Sequence, residues 1–357
     1  MGRCVAKRIA VAAAEPSSMA DHLRSPTPYP KTALEFRRWF APKAASTSYL
    51  EHLRWGKGFR CPKCKCERAG RPVDGRRSCA KCKSKVSVTA KTIFERSRIP
   101  HSSWLVAAWH MTDSQNGISP FLLQQMLKLR SHQSACSIIN KLRTAMGRAG
   151  RDPIRGPVEF GVKCVDGIER TGCGYNRTQF VVAIALEILP TKGFGRVRLR
   201  RIADNSADNI AAFVSQAVRP GSEVHTDMRI AWRKLAERGY KPVRVSRSTK
   251  HDAQDGFMMG IRAVANKLKY WLGFPRRGWA PNTAAQLDLS LNEFVFRFNS
   301  RRSRRPGLLF YRLLKYVLKT PPTSFRAPRG RKLKKSLVPM IILDRVYLGI
   351  RRWSPVH

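Results

Sequence analysis

Four of the nine cysteines form two C-x-x-C pairs with fourteen residues between them: Cys61, Cys64, Cys79 and Cys82. Two such pairs at this separation can place four thiolates tetrahedrally around one Zn²⁺. The alternative, four unrelated cysteines, requires both pairs to arise by accident. The spacing therefore predicts a structural zinc ribbon, in which Cys66 takes no part.

Basic residues surround the predicted ribbon, and two of them, Lys63 and Lys81, lie inside the C-x-x-C loops. Ammonium groups attract the phosphates of nucleic acid. We therefore expect Lys63 and Lys81 to contact DNA, although a solvated basic face is consistent with the same pattern.

A single carboxylate, Asp227, follows the short β-prone stretch 222–226 and precedes a helical pattern over 228–238. The apolar residues of that pattern recur at helical intervals before Gly239 ends it. An aspartate at the tip of a strand can hold a metal ion in a nuclease fold, and it can equally cap the following helix. The local sequence leaves both interpretations open.

The charge of the chain is strongly unbalanced, with 69 lysines and arginines against 23 acidic residues and a net charge of +46 over 357 residues. A protein this basic repels itself unless it meets a polyanion. Nucleic acid is the leading partner. A membrane surface is the weaker alternative because no apolar run approaches the ~18 residues of a membrane span.

The first 27 residues show no pattern of a folded element, and we expect them to be disordered. Their apolar run is shorter than the roughly 7–15 residues of a signal-peptide core. Met19 is an alternative to Met1 as the first residue. The odd cysteine count and the paired C-x-x-C units favour a reducing compartment, so we expect a cytoplasmic protein.

Residues 121–127 and 131–146 have helical patterns that are joined by a short break, and Ser131 is positioned to cap the second helix. Two short helices with a tight turn are typical of a helix-turn-helix, whose second helix enters a DNA groove. A helical packing unit that reads no DNA is the alternative. The predicted groove contacts are His132, Gln133, Ser134, Lys141 and Arg143.

Beyond the Gly/Pro-rich stretch 147–157, which we interpret as a linker, the pattern alternates between strands and helices. Three strands, a helix, a strand and further helices predict an α/β fold with a mixed sheet of the RNase H type. The predicted strands are 158–165, 180–189, 195–203, 222–226 and 241–245, and the predicted helices include 207–218 and 258–272.

These patterns predict a multidomain α/β (α+β) protein. Its expected segments are a disordered start (1–27), a lead-in helix with the zinc ribbon (28–95), a helix-turn-helix-like segment (96–150), an RNase H-like domain (151–318) and a basic tail (319–357).

Several short motifs in the same order carry a family likeness. Together with the zinc ribbon, the chain resembles insertion-sequence transposases of the ISXO type, with an RNase H-like DDE domain. The motifs are Thr92–Glu95 with Pro100 and Trp104, Asn116–Ser119, Pro220–Ser222 with Thr226 and Asp227, Leu291–Asn299 with Arg301 and Arg302, and Leu309–Arg312.

The resemblance implies Mg²⁺-dependent DNA cleavage and strand transfer at the terminal inverted repeats of a bacterial mobile element. It implies a homo-oligomer on DNA in the nucleoid, with no membrane and no small-molecule substrate. Two Mg²⁺ ions roughly 3.5–4 Å apart would be held by three acidic or amide ligands. The cluster that contains Arg301 and Arg302 is expected to contact phosphate.

The chain departs from the family at two of the three ligand positions. Anchored on residues 156–159, the first aspartate of the family falls on Gly161, and Asp227 takes the second position. The third position falls on Arg262, after 34 intervening residues, with Lys269 as the retained lysine seven residues later. A guanidinium repels a dication where the site must attract one.

An insertion of five residues would instead make Asp166 the first acid, with Glu169 nearby. The sequence offers no equally plausible replacement for Arg262. We therefore expect a transposase with impaired catalysis. The alternative is an inactive DNA-binding protein of the same descent.

Overall fold

The computed structural model describes residues 23, 27–42, 44–71, 73, 75–114, 117–150, 152–171, 174–189, 193–245, 258–272, 283–303 and 305–323. Side chains are described for these residues except 149, 150, 167–171 and 174–178. Most of the predicted disordered start, most of the basic tail and Asn116 lie outside the described residues. Within them, no helix combines the length and the apolar character that a bilayer span requires.

The chain divides into two compact units. Unit 1 comprises residues 1–88 and 100–105, and unit 2 comprises residues 89–99 and 106–357. Residues 106–150 of the predicted helix-turn-helix-like segment therefore belong to the same unit as the sheet, and the predicted linker 147–157 does not separate the two units.

Unit 1 begins with two helices, α1 (Ala33–Trp39) and α2 (Ala45–Trp55). The hydroxyl of Thr32 caps α1 by accepting a hydrogen bond from the amide of Glu35 at 3.1 Å. The ring of Phe40 contacts the ring of the fully buried Tyr49 at 5.2 Å between centroids. The helical lead-in predicted for this region is present as this pair of helices.

The ribbon of unit 1 is a short antiparallel hairpin of β1 (Arg76–Ser78) and β2 (Lys85–Ser87). One cysteine pair precedes β1, and the other begins directly after it. Helix α3 (His101–Asp113) follows, and its first five residues are counted with unit 1 and the remainder with unit 2.

Unit 2 contains a five-stranded mixed sheet with helices on both faces. The strands follow the order β5-β4-β3-β6-β7; β3, β4 and β5 pair antiparallel, and β6 and β7 run parallel to β3. The strands are β3 (Val158–Thr171), β4 (Gly174–Leu189), β5 (Gly193–Ile202), β6 (Glu223–Thr226) and β7 (Lys241–Arg244). The mixed α/β sheet expected from the sequence is present.

The helices of unit 2 after α3 include a short pair before the sheet and five others. The pair is α4 (Pro120–Met126) and α5 (His132–Met146); the others are α6 (Ala207–Ala217), α7 (Trp232–Glu237), α8 (Met259–Leu272), α9 (Ala284–Asn299) and α10 (Pro306–Lys319). Ser131 caps α5 as predicted, because its hydroxyl accepts a hydrogen bond from the amide of Gln133 at 3.1 Å.

Alternating side chains of the sheet enter two separate cores, as the period of two along a strand requires. Phe160 and Ala183 pack with Phe213 of α6 on one face. Val182 and Ile184 pack with α8 and α9 on the other face. Since Phe160 faces α6, its neighbours Glu159 and Gly161 face α8.

Helix α5 packs against α9 and α10 as well as against α4. Its apolar stripe, which includes Ile138, Ile139 and Leu142, is fully buried. The pair α4 and α5 is therefore built into the helical layer of unit 2.

Candidate metal centres

The four predicted zinc ligands come together in unit 1. The sulfur atoms of Cys61, Cys64, Cys79 and Cys82 all lie within 4.8 Å of one another. Two sulfur pairs are separated by 3.7 Å (Cys61 and Cys82) and 3.4 Å (Cys64 and Cys79). A tetrahedron with Zn–S bonds of about 2.3 Å has sulfur atoms about 3.8 Å apart, so the donor set fits a zinc ion.

Two matching backbone turns position these sulfur atoms. The amide of Lys65 donates to the carbonyl of Cys61 at 2.9 Å, and the amide of Lys83 donates to the carbonyl of Cys79 at 3.0 Å. Both lysines have left-handed backbone angles, with φ of 59° and 54°. Each C-x-x-C segment is thus closed locally, which explains why spacing alone predicted the site.

One thiol of the cluster, that of Cys61, has a pKa that favours metal binding. The backbone N–H of Cys64, as the largest influence, lowers the pKa of Cys61 to about 6, although burial acts in the opposite direction. A thiolate is the form that binds zinc. Cys66 stays outside the four-sulfur cluster. Lys63 and Lys81 are exposed at the tips of the two turns.

The second candidate site lies where β6 ends beside β3. Val158 pairs with Val224, and Glu159 pairs with His225, in parallel register. The pairing of the two strands ends there; continued by two residues, the same register would bring Gly161 to the level of Asp227, whose side chain is exposed. Gly161 is the residue on which the resemblance to the family placed the first aspartate, and that placement stays a prediction.

The space beside Gly161 is filled by helix α8. A Cβ atom built on Gly161 would lie 2.9 Å from Cγ2 of Ile261 and 3.5 Å from Cε of Met258. The first distance is shorter than van der Waals contact allows. A carboxylate therefore cannot occupy this position unless α8 or the Ile261 side chain moves.

Asp166, the alternative first acid, lies on the same strand but away from this edge. Asp166 pairs with Gln179 across the strands, and the side-chain amide of Gln179 donates a hydrogen bond to the carboxylate of Asp166 at 3.4 Å. The side chain of Asp166 is exposed. Asp166 lies five positions further along the strand than Gly161, so the two Cα atoms are about 16 Å apart. The structure does not bring Asp166 next to Asp227. The side chain of Glu169 lies outside the described residues.

Arg262 and Lys269 both lie on exposed positions of α8. Arg262 directly follows Ile261, the residue that fills the space beside Gly161. Arg262, on which the resemblance to the family placed the third ligand, is thus a cation next to the residue that packs against Gly161.

Glu159 is a buried carboxylate near this edge that the sequence analysis used only as an alignment anchor. Its Oε2 accepts a hydrogen bond from the amide of Ile261 at 2.8 Å, at the start of α8. Burial is the largest influence and raises its pKa, while the amides of Ile261 and Gly260 and the charge of His225 oppose the shift. Glu159 thus holds the start of α8. A single glutamate in a strand gives no local signal of this role.

His225 lies between Glu159 and Asp227 on the same face, and its Nε2 is 3.6 Å from a carboxylate oxygen of Glu223. Among the described residues, only the four cysteines form a group of three or more metal-binding side chains that could share an ion. The residues at this edge of the sheet do not fit a two-magnesium site.

The predicted groove contacts of α5 differ in how far their side chains are exposed to solvent. His132 and Gln133 are exposed at the first turn, Ser134 is half-buried, and burial lowers the pKa of the half-buried Lys141. Arg143 is buried, and its Nε donates to Glu293 at 2.7 Å. Arg143 does not face solvent as a groove contact requires.

Arg301 and Arg302 contact backbone carbonyl groups of the sheet. Arg301 donates to the carbonyl of Gly195 at 3.0 Å and stacks on the ring of Phe298 at 4.0 Å. Burial, as the largest influence, lowers its pKa to about 10. Arg302 is exposed and donates to the carbonyl of Phe194 at 3.2 Å. Arg301 therefore anchors the end of α9 to β5, and Arg302 retains an exposed side chain.

Two family models match the chain. One describes an ISXO2-like transposase domain and matches residues 153–299. The other describes a transposase zinc-ribbon domain and matches residues 43–85. No curated protein matches the chain. The two matches cover the mixed sheet and the four-cysteine cluster, and they show that the chain belongs to the ISXO2-like transposases with an N-terminal zinc ribbon.

Proposed function

We propose that this transposase binds the terminal inverted repeats of its element but has lost most of its capacity for Mg²⁺-dependent strand cleavage and transfer. It would act as an oligomer on DNA in the bacterial nucleoid. The observation that carries the loss of cleavage is the space beside Gly161, which Ile261 already fills.

Charge and exposure support the DNA-binding part of the proposal. The chain carries a net charge of +46. Lys63 and Lys81 are exposed at the ribbon turns, and His132 and Gln133 are exposed at the first turn of α5. In a helix-turn-helix, the first residues of the second helix contact the bases. Arg143 is left out of the proposed contacts because it is buried in an ion pair.

The composition of the sheet edge supports the loss of cleavage. Asp227 retains its carboxylate, Gly161 has none, and position 262 holds a guanidinium. At an effective dielectric constant of about 20, a unit charge 4 Å from another is worth roughly 4 kcal/mol. Losing that much stabilisation of the transition state slows a reaction on the order of a thousandfold.

A nicking assay tests the catalytic part. Plasmid DNA that carries the element ends is incubated with the protein and Mg²⁺ or Mn²⁺, and binding is measured in parallel by fluorescence anisotropy. We expect specific binding without nicking above the level of Asp227→Ala. Asp208→Asn removes an exposed carboxylate at the start of α6 and serves as the control. Nicking that Asp227→Ala abolishes and Asp208→Asn preserves would show an active enzyme.

A pair of charge-matched variants tests the ribbon contacts. Lys63→Gln with Lys81→Gln should weaken DNA binding more than Lys31→Gln with Lys57→Gln. All four lysines are exposed in unit 1, so both double variants remove the same charge. Equal weakening would assign the effect to overall charge rather than to the turns of the ribbon.

An active transposase that uses Asp166 is the second candidate function. One observation favours it: Asp166 is an exposed carboxylate on the same strand as Gly161. It requires Asp166 to approach Asp227, from which the present register separates it. Asp166→Ala would then abolish nicking as completely as Asp227→Ala.

A further inference from the structure

A cleft of about 650 Å³ opens at the end of the sheet remote from Asp227. It is lined by Asp152, Pro153, Arg155, Arg196 and Arg219. Residues 152–155 lead into β3, and Arg219 leads into β6. Since β3 and β6 are parallel and Asp227 follows the end of β6, the cleft and Asp227 lie at opposite ends of these strands.

A short backbone bridge holds two of the arginines side by side. Ile154 pairs with Val218 in parallel orientation. The amide of Ile154 donates to the carbonyl of Ala217 at 2.8 Å, and the amide of Arg219 donates to the carbonyl of Ile154 at 2.9 Å. Arg155 and Arg219 each follow the bridged pair by one residue, so their backbones lie at about the 4.8 Å spacing of neighbouring strands.

The bridge fixes the neighbouring backbone positions from which these two positive side chains extend. Both are exposed, and neither forms an ion pair with any residue that the structure describes. Like charges that approach each other repel, and an anion between them converts the repulsion into attraction. The two neighbouring backbone positions therefore allow both guanidinium groups to reach one anion.

The third arginine of the cleft, Arg196, is positioned by an ion pair with Glu187. Both carboxylate oxygens of Glu187 accept hydrogen bonds from the guanidinium of Arg196, at 3.0 and 3.1 Å. The neighbouring Arg198 is buried and donates to the carbonyl of Asp152 at 3.1 Å. The cleft and its surroundings thus contain four guanidinium groups and two carboxylates, those of Asp152 and Glu187. Their summed charge is positive.

We infer that this cleft binds phosphates of a DNA backbone, at a site separate from the ribbon and from helix α5. The lining offers guanidinium groups, whose planar forks match phosphate oxygens. Among the residues that the structure describes, the lining contains no aromatic ring on which a base could stack. A sugar-phosphate strand therefore suits the cleft better than a free nucleotide does. This inference rests on the proposed DNA binding and adds a second place where DNA is held.

The salt dependence of DNA affinity tests the inference. Binding of duplex DNA to the full chain is measured by anisotropy at several KCl concentrations. For B-DNA, each phosphate that a protein neutralises adds about 0.9 to the steepness of log K against log salt. Arg155→Gln with Arg219→Gln should reduce the slope by about 2, and the Lys replacements at both positions should retain most of it.

Charge-matched and ligand controls complete the test. Arg233→Gln with Arg312→Gln removes two exposed arginines from α7 and α10 and should change the slope much less. Equal changes in the two double variants would overturn the inference. Phosphorus NMR at constant ionic strength is the second arm, with inorganic phosphate as the probe. Phosphate binding that depends on Arg155 and Arg219, with an unchanged DNA slope, would assign the cleft to a free phosphate ligand and also overturn it.

Two further outcomes separate this inference from the proposed function. A wild-type chain that does not bind DNA contradicts the proposed function itself. A wild-type chain that binds DNA with the same slope as the double variant contradicts only the cleft. If the double variant unfolds at a lower temperature, each single variant carries the same test, with an expected reduction of about 1.

Discussion

Glu293 shows how one residue can tie distant parts of unit 2 together. Its side chain is 1% exposed and accepts hydrogen bonds from Arg143 at 2.7 Å and from Arg297 at 2.9 Å. The two guanidinium groups lower its pKa, although burial is the largest influence and opposes them. Arg297 also donates to the carbonyl of Ser114 at 2.7 Å. The network connects α5 and α9 with the loop after α3.

We predict that Glu293→Ala destabilises unit 2 by about 3–5 kcal/mol, because it leaves two buried guanidinium groups without their shared carboxylate. Urea unfolding followed by circular dichroism measures the change. Asp288→Ala on the same helix is the control. It breaks a half-exposed pair with Arg201 at 3.1 Å and should cost less than about 1 kcal/mol. Equal losses would contradict the network's role.

Gly161 permits a second prediction at the residue scale. Gly161→Asp should destabilise the protein by about 1–3 kcal/mol because its Cβ would lie too close to Ile261. Ile261→Ala in the same chain should recover part of that loss. Gly70→Asp is the control, since nothing lies within 4 Å of a Cβ at Gly70. Thermal unfolding compares the variants, and an unchanged midpoint for Gly161→Asp would show that α8 moves aside freely.

At the scale of elements, the ribbon and helix α5 depend on different partners. The two C-x-x-C turns close on themselves through local hydrogen bonds and meet at the four sulfur atoms. Helix α5 instead buries its apolar stripe against α9 and α10, which lie more than a hundred residues later in the chain. One element requires a metal, and the other requires the rest of unit 2.

Removal of zinc should therefore unfold the ribbon and leave the sheet folded. Structural zinc contributes directly to the folding free energy of small ribbons. Limited proteolysis after chelation should cut between residues 57 and 88, while the strands β3 to β7 and the helices α6, α8 and α9 stay protected. Cys79→Ser should lose the metal, and Cys66→Ser should retain one equivalent by atomic absorption. Loss of zinc in Cys66→Ser would contradict the four-ligand assignment.

The segment 117–150 should not fold by itself. Its two helices are short, and isolated helices of this length are marginal in water. Circular dichroism of the peptide should show little helix, whereas the full chain retains α4 and α5. A helical, DNA-binding peptide would identify an independent domain instead.

At the scale of the whole molecule, the dominant feature is its positive charge. The net charge of +46 is spread along the chain, including the ribbon, α8 and the cleft at the far end of the sheet. Such a distribution attracts a polyanion at many points at once.

The affinity for duplex DNA should accordingly fall steeply with salt. A protein that makes six to ten phosphate contacts loses about 10³–10⁵ in affinity between 50 and 200 mM salt. We expect a loss of at least about a thousandfold, measured by anisotropy over that range. A loss below about tenfold would show that few of these charges meet phosphate.

The sequence by itself determined the zinc cluster, the cap at Ser131 and the presence of the five strands of the sheet. These features depend on neighbours close in the chain: two C-x-x-C turns, one capping hydroxyl, and an apolar pattern with a period of two. The family likeness, carried by ordered short motifs, was accessible for the same reason.

Only the tertiary structure decided which groups meet across long stretches of chain. It placed Ile261 against Gly161 and Arg143 beside Glu293. It also hydrogen-bonded Arg301 to β5 and joined Ile154 to Val218 at the end of α6. Whether an arginine binds DNA or a buried carboxylate depends on what packs over it. That partner is 150 residues away for Arg143, a separation at which local pattern carries no information.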